Sequence, residues 1–140
     1  MLNALIDGIV AAIQETFGDD YPIYTDGVEQ GLKEPCFSVR IVKPTITQFL
    51  GNRYFRTNLA AVHYFPASYG DNTEMNTVVE ALFSALEYIH VSGALTRGTK
   101  PDFHVEDGVG IFTINYDFFV YKTETDEETM ETLTVKGGSV

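Results

Sequence analysis

Cysteine and positive charge are both scarce in this chain of 140 residues, with one cysteine, Cys36, and nine lysines and arginines against twenty acids. A single thiol cannot close an intramolecular disulfide, so a disulfide-stapled secreted scaffold is excluded and a reducing cytoplasm is the simplest setting. The formal net charge of -11 disfavours a general or sequence-specific nucleic-acid binder, which needs an excess of cations to neutralise phosphates. No apolar run approaches the roughly 18 residues of a membrane span, and no basic stretch precedes the apolar N-terminal residues. Neither a membrane helix nor a signal peptide is therefore read. Glycine-rich phosphate loops of the common spacings are missing too, since Gly108 and Gly110 belong to a turn signal.

Hydrophobic residues make up 44% of the chain and aromatics 13%, enough for one domain of this length to carry its own core. Residues 1–122 read as that domain. Charge is segregated along it: Lys33, Arg40, Lys43, Arg53 and Arg56 fall close together, whereas the last 18 residues hold five acids and one lysine. Residues 123–140, which lose the aromatics, are expected to form a flexible acidic tail.

Apolar residues from Leu2 to Phe17 recur at helical spacing, and Gly18 follows where a helix ends, so the spacing predicts a helix over 2–17. Pro22–Thr25 reads as a short strand. Phe37, Val39 and Ile41 alternate with Ser38 and Arg40 in a half-buried strand, Pro44 reads as an interruption, and alternation resumes over Thr45–Leu50. Gly51-Asn52 then turns the chain into a long strand from Arg53 to Phe65. Asp71, with Glu74 three positions on, predicts a capping box. The stripe Met75, Val78, Val79, Leu82, Phe83, Leu86 and Ile89 predicts a second helix. The segment around Gly93 and Arg97–Pro101 reads as a connection, and Asp107-Gly108 as a hairpin turn into a strand over Val109–Lys122, whose face Phe112, Ile114, Tyr116, Phe118 and Val120 is apolar. The fold class predicted is α+β, a mainly antiparallel sheet of hairpins with two amphipathic helices on one face.

Candidate chemistry is thin. His63, His90 and His104 stand far apart without a second ligand at metal spacing; His63 reads as a strand histidine and His104 as an exposed one, and no metal or cofactor is expected. Cys36, between Pro35 and Phe37, has no neighbour that would activate it and reads as a packed thiol. Asp102, Glu106 and Asp107 do not match a calcium loop and read as a solvated turn. The basic stretch is different, because Arg53 and Arg56 flank Tyr54 and Phe55 directly after a tight turn, where side chains are expected to project outward, and arginine and tyrosine are favoured at interfaces. Lys33, Arg40, Arg53, Tyr54 and Arg56 are accordingly the candidate contact residues. A basic face meeting an acidic face of an identical neighbour makes a head-to-tail contact, which repeats until it closes a ring or runs on as a filament.

The strings Tyr24-Thr25-Asp26-Gly27-Val28-Glu29-Gln30-Gly31-Leu32-Lys33-Glu34-Pro35-Cys36-Phe37 and Leu50-Gly51-Asn52-Arg53-Tyr54-Phe55-Arg56-Thr57-Asn58 resemble the small tail terminator proteins of phages and defective prophages of Gram-positive bacteria. Tyr64-Phe65-Pro66 and Asn115–Tyr121 fit as well. The resemblance, over about residues 1 to 122, implies a non-enzymatic subunit without cofactor. It further implies a ring, hexameric in number, that sits on the last ring of tail-tube protein, stops tube growth and offers a surface to the head or neck connector. The setting implied is the bacterial cytoplasm during assembly, then the tail of a virion or phage-like particle. A neck or head-completion protein is the nearest alternative. A small ligand-binding domain or hydrolase using His63 or His104 is a more distant one.

Overall fold

The computed structural model describes residues 1–26 and 31–122, and the backbone of 133–135. Its elements are α1 (Leu2–Phe17), β1 (Ile23–Tyr24), β2 (Cys36–Leu50), β3 (Arg53–Phe65), α2 (Asn72–Ala85), β4 (Tyr88–Val91), β5 (Ala94–Glu106), β6 (Val109–Tyr116), β7 (Phe118–Lys122) and β8 (Leu133–Val135). The strands run in the order β1-β2-β3-β6-β5-β4, and β7 pairs with β3 and β8. Every pair is antiparallel except β1 with β2. The chain is thus α+β with a mostly antiparallel sheet and two helices.

Local signals account for the ends of both helices. Gly18, at φ +83°, closes α1 with its N–H on the Gln14 carbonyl at 2.9 Å, a backbone conformation open to glycine without steric cost. Asp71 caps α2, its Oδ1 accepting from the Thr73 and Glu74 amides at 3.0 and 3.1 Å. The predicted reciprocal half of a capping box is replaced. Glu74 turns outward from the helix and accepts from the Ala67 and Ser68 amides and from the Tyr64 hydroxyl.

Leu5, Ile9 and Ile13 of α1 and Met75, Val78 and Leu82 of α2 belong to one buried cluster with Phe37, Val39, Ala60, Val62, Tyr64, Phe112, Ile114 and Tyr116 of the sheet. Cross-strand register sets Val39 opposite Val62 and Val62 opposite Phe112, so alternate residues of three strands feed the same core. Gly8 lets α1 lie against β4, because a Cβ there would collide with the His90 carbonyl oxygen.

Three expectations are corrected. Pro44 does not interrupt β2, because beyond Ser38 the outer edge of that strand has no described partner, and there a missing N–H costs no ladder bond; a register shift at Ile41/Lys43 absorbs the local irregularity. The apolar stripe read through Ile89 leaves the helix at Ala85, and Tyr88–Val91 turns through Ser92-Gly93, both at positive φ, into β5, so the supposed connection is mostly strand. The long last strand is divided at Asp117: β6 lies beside β3 residues 59–64, and β7 beside residues 53–56. Its apolar face survives the division, with Phe112, Ile114, Tyr116, Phe118 and Val120 all buried. Most of the tail expected over 123–140 lies outside the described residues, while Leu133–Val135 pairs with β7.

Candidate functional site

Past Ile41, β2 leaves the core, and every residue from Val42 to Asn52 is exposed. The β2–β3 ribbon continues outward to its turn as an arm, with β7 as a third strand along Arg53–Arg56. Hydroxyls of Thr45 and Thr57 hydrogen-bond across the ribbon. At its tip the Gln48 side chain donates to the Gly51 carbonyl at 2.9 Å, and the Lys122 amide donates to the Asn52 carbonyl at 2.9 Å. These bonds tie all three strands together where little apolar burial is available.

The arm has two different faces, because successive strand residues point to opposite sides. On one, the Arg53 guanidinium lies 4.0 Å from the Phe119 ring centre and 5.2 Å from that of Phe49. Phe119 in turn meets Phe49 and Phe55 at 5.3 and 4.9 Å between ring centres. Thr47, Gln48, Phe49, Phe55 and Phe119 line an open groove of about 390 Å³, and Arg53 stands over two of its rings. On the other face, Tyr54 and Arg56 lie two apart, and the Lys122 ammonium sits 4.3 Å from the centre of the Tyr54 ring. Cations over ring faces are attracted by the ring quadrupole, so this packing stabilises positive charge.

That charge is incompletely satisfied. Among the described residues the Nε atoms of Arg53 and Arg56 are both buried without a hydrogen-bond partner, and burial lowers the pKa of Arg56 from its ordinary value. Lys43, Arg53, Arg56 and Lys122 are the charged residues of Lys43–Asn58 and Phe118–Lys122, which contain no Asp or Glu. Ile46, Phe49 and Leu50 are 46%, 53% and 68% exposed near the tip. An arm that is basic, aromatic and aliphatic at once is suited to hold a macromolecular surface, and its strands contain no Cys, His, Asp or Glu.

Of the five residues singled out from the sequence, Arg53, Tyr54 and Arg56 come together on the arm, with Arg53 on the face opposite the other two. They are half-buried rather than projecting, because β7 lies alongside them, a pairing more than 60 residues distant in sequence. Arg40 sits on β2 opposite Ala61, five register positions from Arg56, beside a smaller recess of about 220 Å³ with Thr25, Asp26, Ser38, His63 and Phe65. Lys33 lies in the irregular stretch before β2, its amide donating to the Tyr24 hydroxyl at 3.4 Å. Sequence reasoning missed Phe49, Phe119 and Lys122. Phe119 carried a readable signal: it is a large aromatic on the side of its strand where Thr113, Asn115 and Asp117 also stand.

The catalytic alternatives find little support in local geometry. Cys36 is buried, and its thiol is pushed up to about 11 by burial, with Glu34 adding to the effect, the reverse of what an activated nucleophile requires. His63 is held below its ordinary pKa by burial and by the nearby charges of Arg40 and His104. His104 is an exposed residue 3.6 Å from Glu106. Among the described residues no group of three or more His, Cys, Asp or Glu is placed to hold a metal ion, and no helix is long and apolar enough to cross a membrane.

Comparison with known proteins places this chain in a family. A family model described as phage tail terminator protein matches residues 4–128. No curated protein matches the chain. One solved structure, titled only by a sequence identifier, is similar over 86% of this chain and 97% of its own, at 13% identity and a TM-score of 0.41.

Proposed function

The chain belongs to the phage tail terminator family, whose members are structural, and on that premise we propose that it forms a ring that caps the tail tube. In this reading both helices cover the core side of the sheet, and the sheet edges and the arm are left to neighbouring subunits. The ring ends polymerisation of the tube and offers its far side to the head or neck connector. The observation that carries the reading is the family match across residues 4–128. The arm adds physical support, because incompletely satisfied cations and exposed aliphatic side chains are more favourably placed in a protein contact than in water. Lys33, Arg40, Arg53, Tyr54 and Arg56 are proposed to contact a neighbouring subunit or the tube, with Lys33 and Arg40 serving on the body and the other three on the arm.

The subunit acts in the bacterial cytoplasm while the particle is assembled and then remains in its tail, without enzymatic activity. A neck or head-completion role shares small size and ring formation but requires a different partner. Pull-down of the purified protein against tail-tube protein and, separately, against the portal or connector of the same particle decides between them. Retention by tube protein supports the terminator reading, and retention by the connector alone overturns it.

A further inference from the structure

The twenty acids of the chain all lie outside the arm strands, which hold four of its nine basic residues. Among the described residues the charge is therefore polarised: the arm strands carry four basic residues and no acid, and the remainder carries four basic and fourteen acidic residues. Such a surface has two plausible classes of occupant, a nucleic-acid backbone or an acidic protein. Phosphates need cations displayed to solvent, whereas Arg53 and Arg56 are half-buried, Arg53 against the Phe49 and Phe119 rings, and phosphates gain nothing from exposed Ile46 and Leu50. The composition of the arm favours a protein surface that is apolar at its centre and acidic at its rim.

This molecule carries such a surface at the other end of its own sheet. The β5–β6 turn, Asp107-Gly108, lies beside the Phe65 end of β3, while the arm lies at the Arg53 end. At about 3.3 Å per strand residue the two ends stand some 30–40 Å apart. At the turn, Tyr69 is packed over Gly108 yet 82% exposed, Val105 is 50% exposed, and Glu106 and Asp107 border them.

We infer that the arm of one copy docks on the β5–β6 turn of a second copy, with Phe49 and Leu50 against Val105 and Tyr69 and with the exposed Lys43 facing Glu106 and Asp107. The contact joins opposite ends of identical subunits, so it is heterologous and repeats until a ring closes. Charge complementarity fixes its direction and speeds encounter. This inference rests on the ring reading above and names the surfaces that make the ring.

The test measures native mass by light scattering after gel filtration, across a wide concentration range, for the full chain and four variants. Lys43→Glu and Leu50→Ser alter exposed arm residues, Glu106→Lys alters the turn, and Lys43→Glu combined with Glu106→Lys in one chain exchanges the two charges. Each single variant is expected to keep the parent melting temperature while raising the concentration for half-assembly at least tenfold, and the exchanged pair is expected to recover most of that loss. If the parent assembles and the single variants assemble equally well, the arm is not the contact and the inference is overturned while the ring stands. If the parent remains monomeric even with tube protein present, the ring reading fails and the inference fails with it. Binding of duplex DNA that Lys43→Glu abolishes, with native mass unchanged, would assign the arm to nucleic acid instead.

Discussion

Replacing Glu74 by alanine tests the least predictable local contact in the body. Its Oε2 accepts from the Tyr64 hydroxyl at 2.5 Å and the Ala67 amide at 2.7 Å, and its Oε1 accepts from the Ser68 amide at 3.0 Å. Tyr64 is 1% exposed, so without Glu74 its hydroxyl is a buried donor with no acceptor, a loss of about 1–3 kcal/mol. The two amides belong to exposed residues that water can reach, and they add about 0.5 kcal/mol each. The total expected is about 2–4 kcal/mol at neutral pH, read from urea unfolding as a lower midpoint at unchanged slope. Burial works against the carboxylate, but these three bonds outweigh it and hold the pKa below the ordinary 4.5. A carboxyl depressed by folding stabilises the protein fully above that unfolded value and loses its contribution as pH falls through the folded one. The gap between parent and variant should therefore be constant from pH 7 down to about 5 and narrow below about 4.5. A loss under about 0.5 kcal/mol at pH 7, or a gap that widens in acid, would refute this account of the Tyr64–Glu74 contact.

Other substitutions separate packing from assembly. Gly8→Ala gains about 1 kcal/mol of helix propensity, but the new Cβ meets backbone atoms of His90 that cannot yield; overpacking of about 1–3 kcal/mol wins, and the urea midpoint should fall. Arg56→Met keeps much of the side-chain length while removing a buried, unpartnered Nε, so monomer stability should hold or rise by up to about 1 kcal/mol while assembly weakens in native-mass measurements. For Cys36, a thiol pushed from 9.0 up to about 11 has its thiolate fraction at pH 8 cut about a hundredfold. Alkylation should be slowed at least that much in the folded protein relative to the urea-unfolded chain, and comparable rates would contradict its burial.

Periodicity revealed the parts of the fold whose signals are local. The α1 stripe and Gly18 placed one helix, Asp71 the start of the other, and the alternation from Phe112 to Val120 identified a buried face that persists across the break at Asp117. What stayed hidden depends on contacts distant in sequence. Ile89 fits a helical stripe, yet it belongs to β4, where two positive-φ residues at Ser92-Gly93 turn the chain into a strand partner. Pro44 looks like a breaker until β2 is known to be an edge strand over that stretch. The arm was half legible: the basic and aromatic residues after Gly51-Asn52 stood out, but their partial burial depends on β7 and Phe119, more than 60 residues on. No local pattern announces that pairing.

The most direct test of the account is to polymerise tail-tube protein with and without this chain and to image the products by negative-stain electron microscopy. A ring-forming terminator predicts shorter tubes as its proportion rises, each ended by added ring-shaped density. Tubes of unchanged length with bare ends, at any ratio of the two proteins, would contradict it.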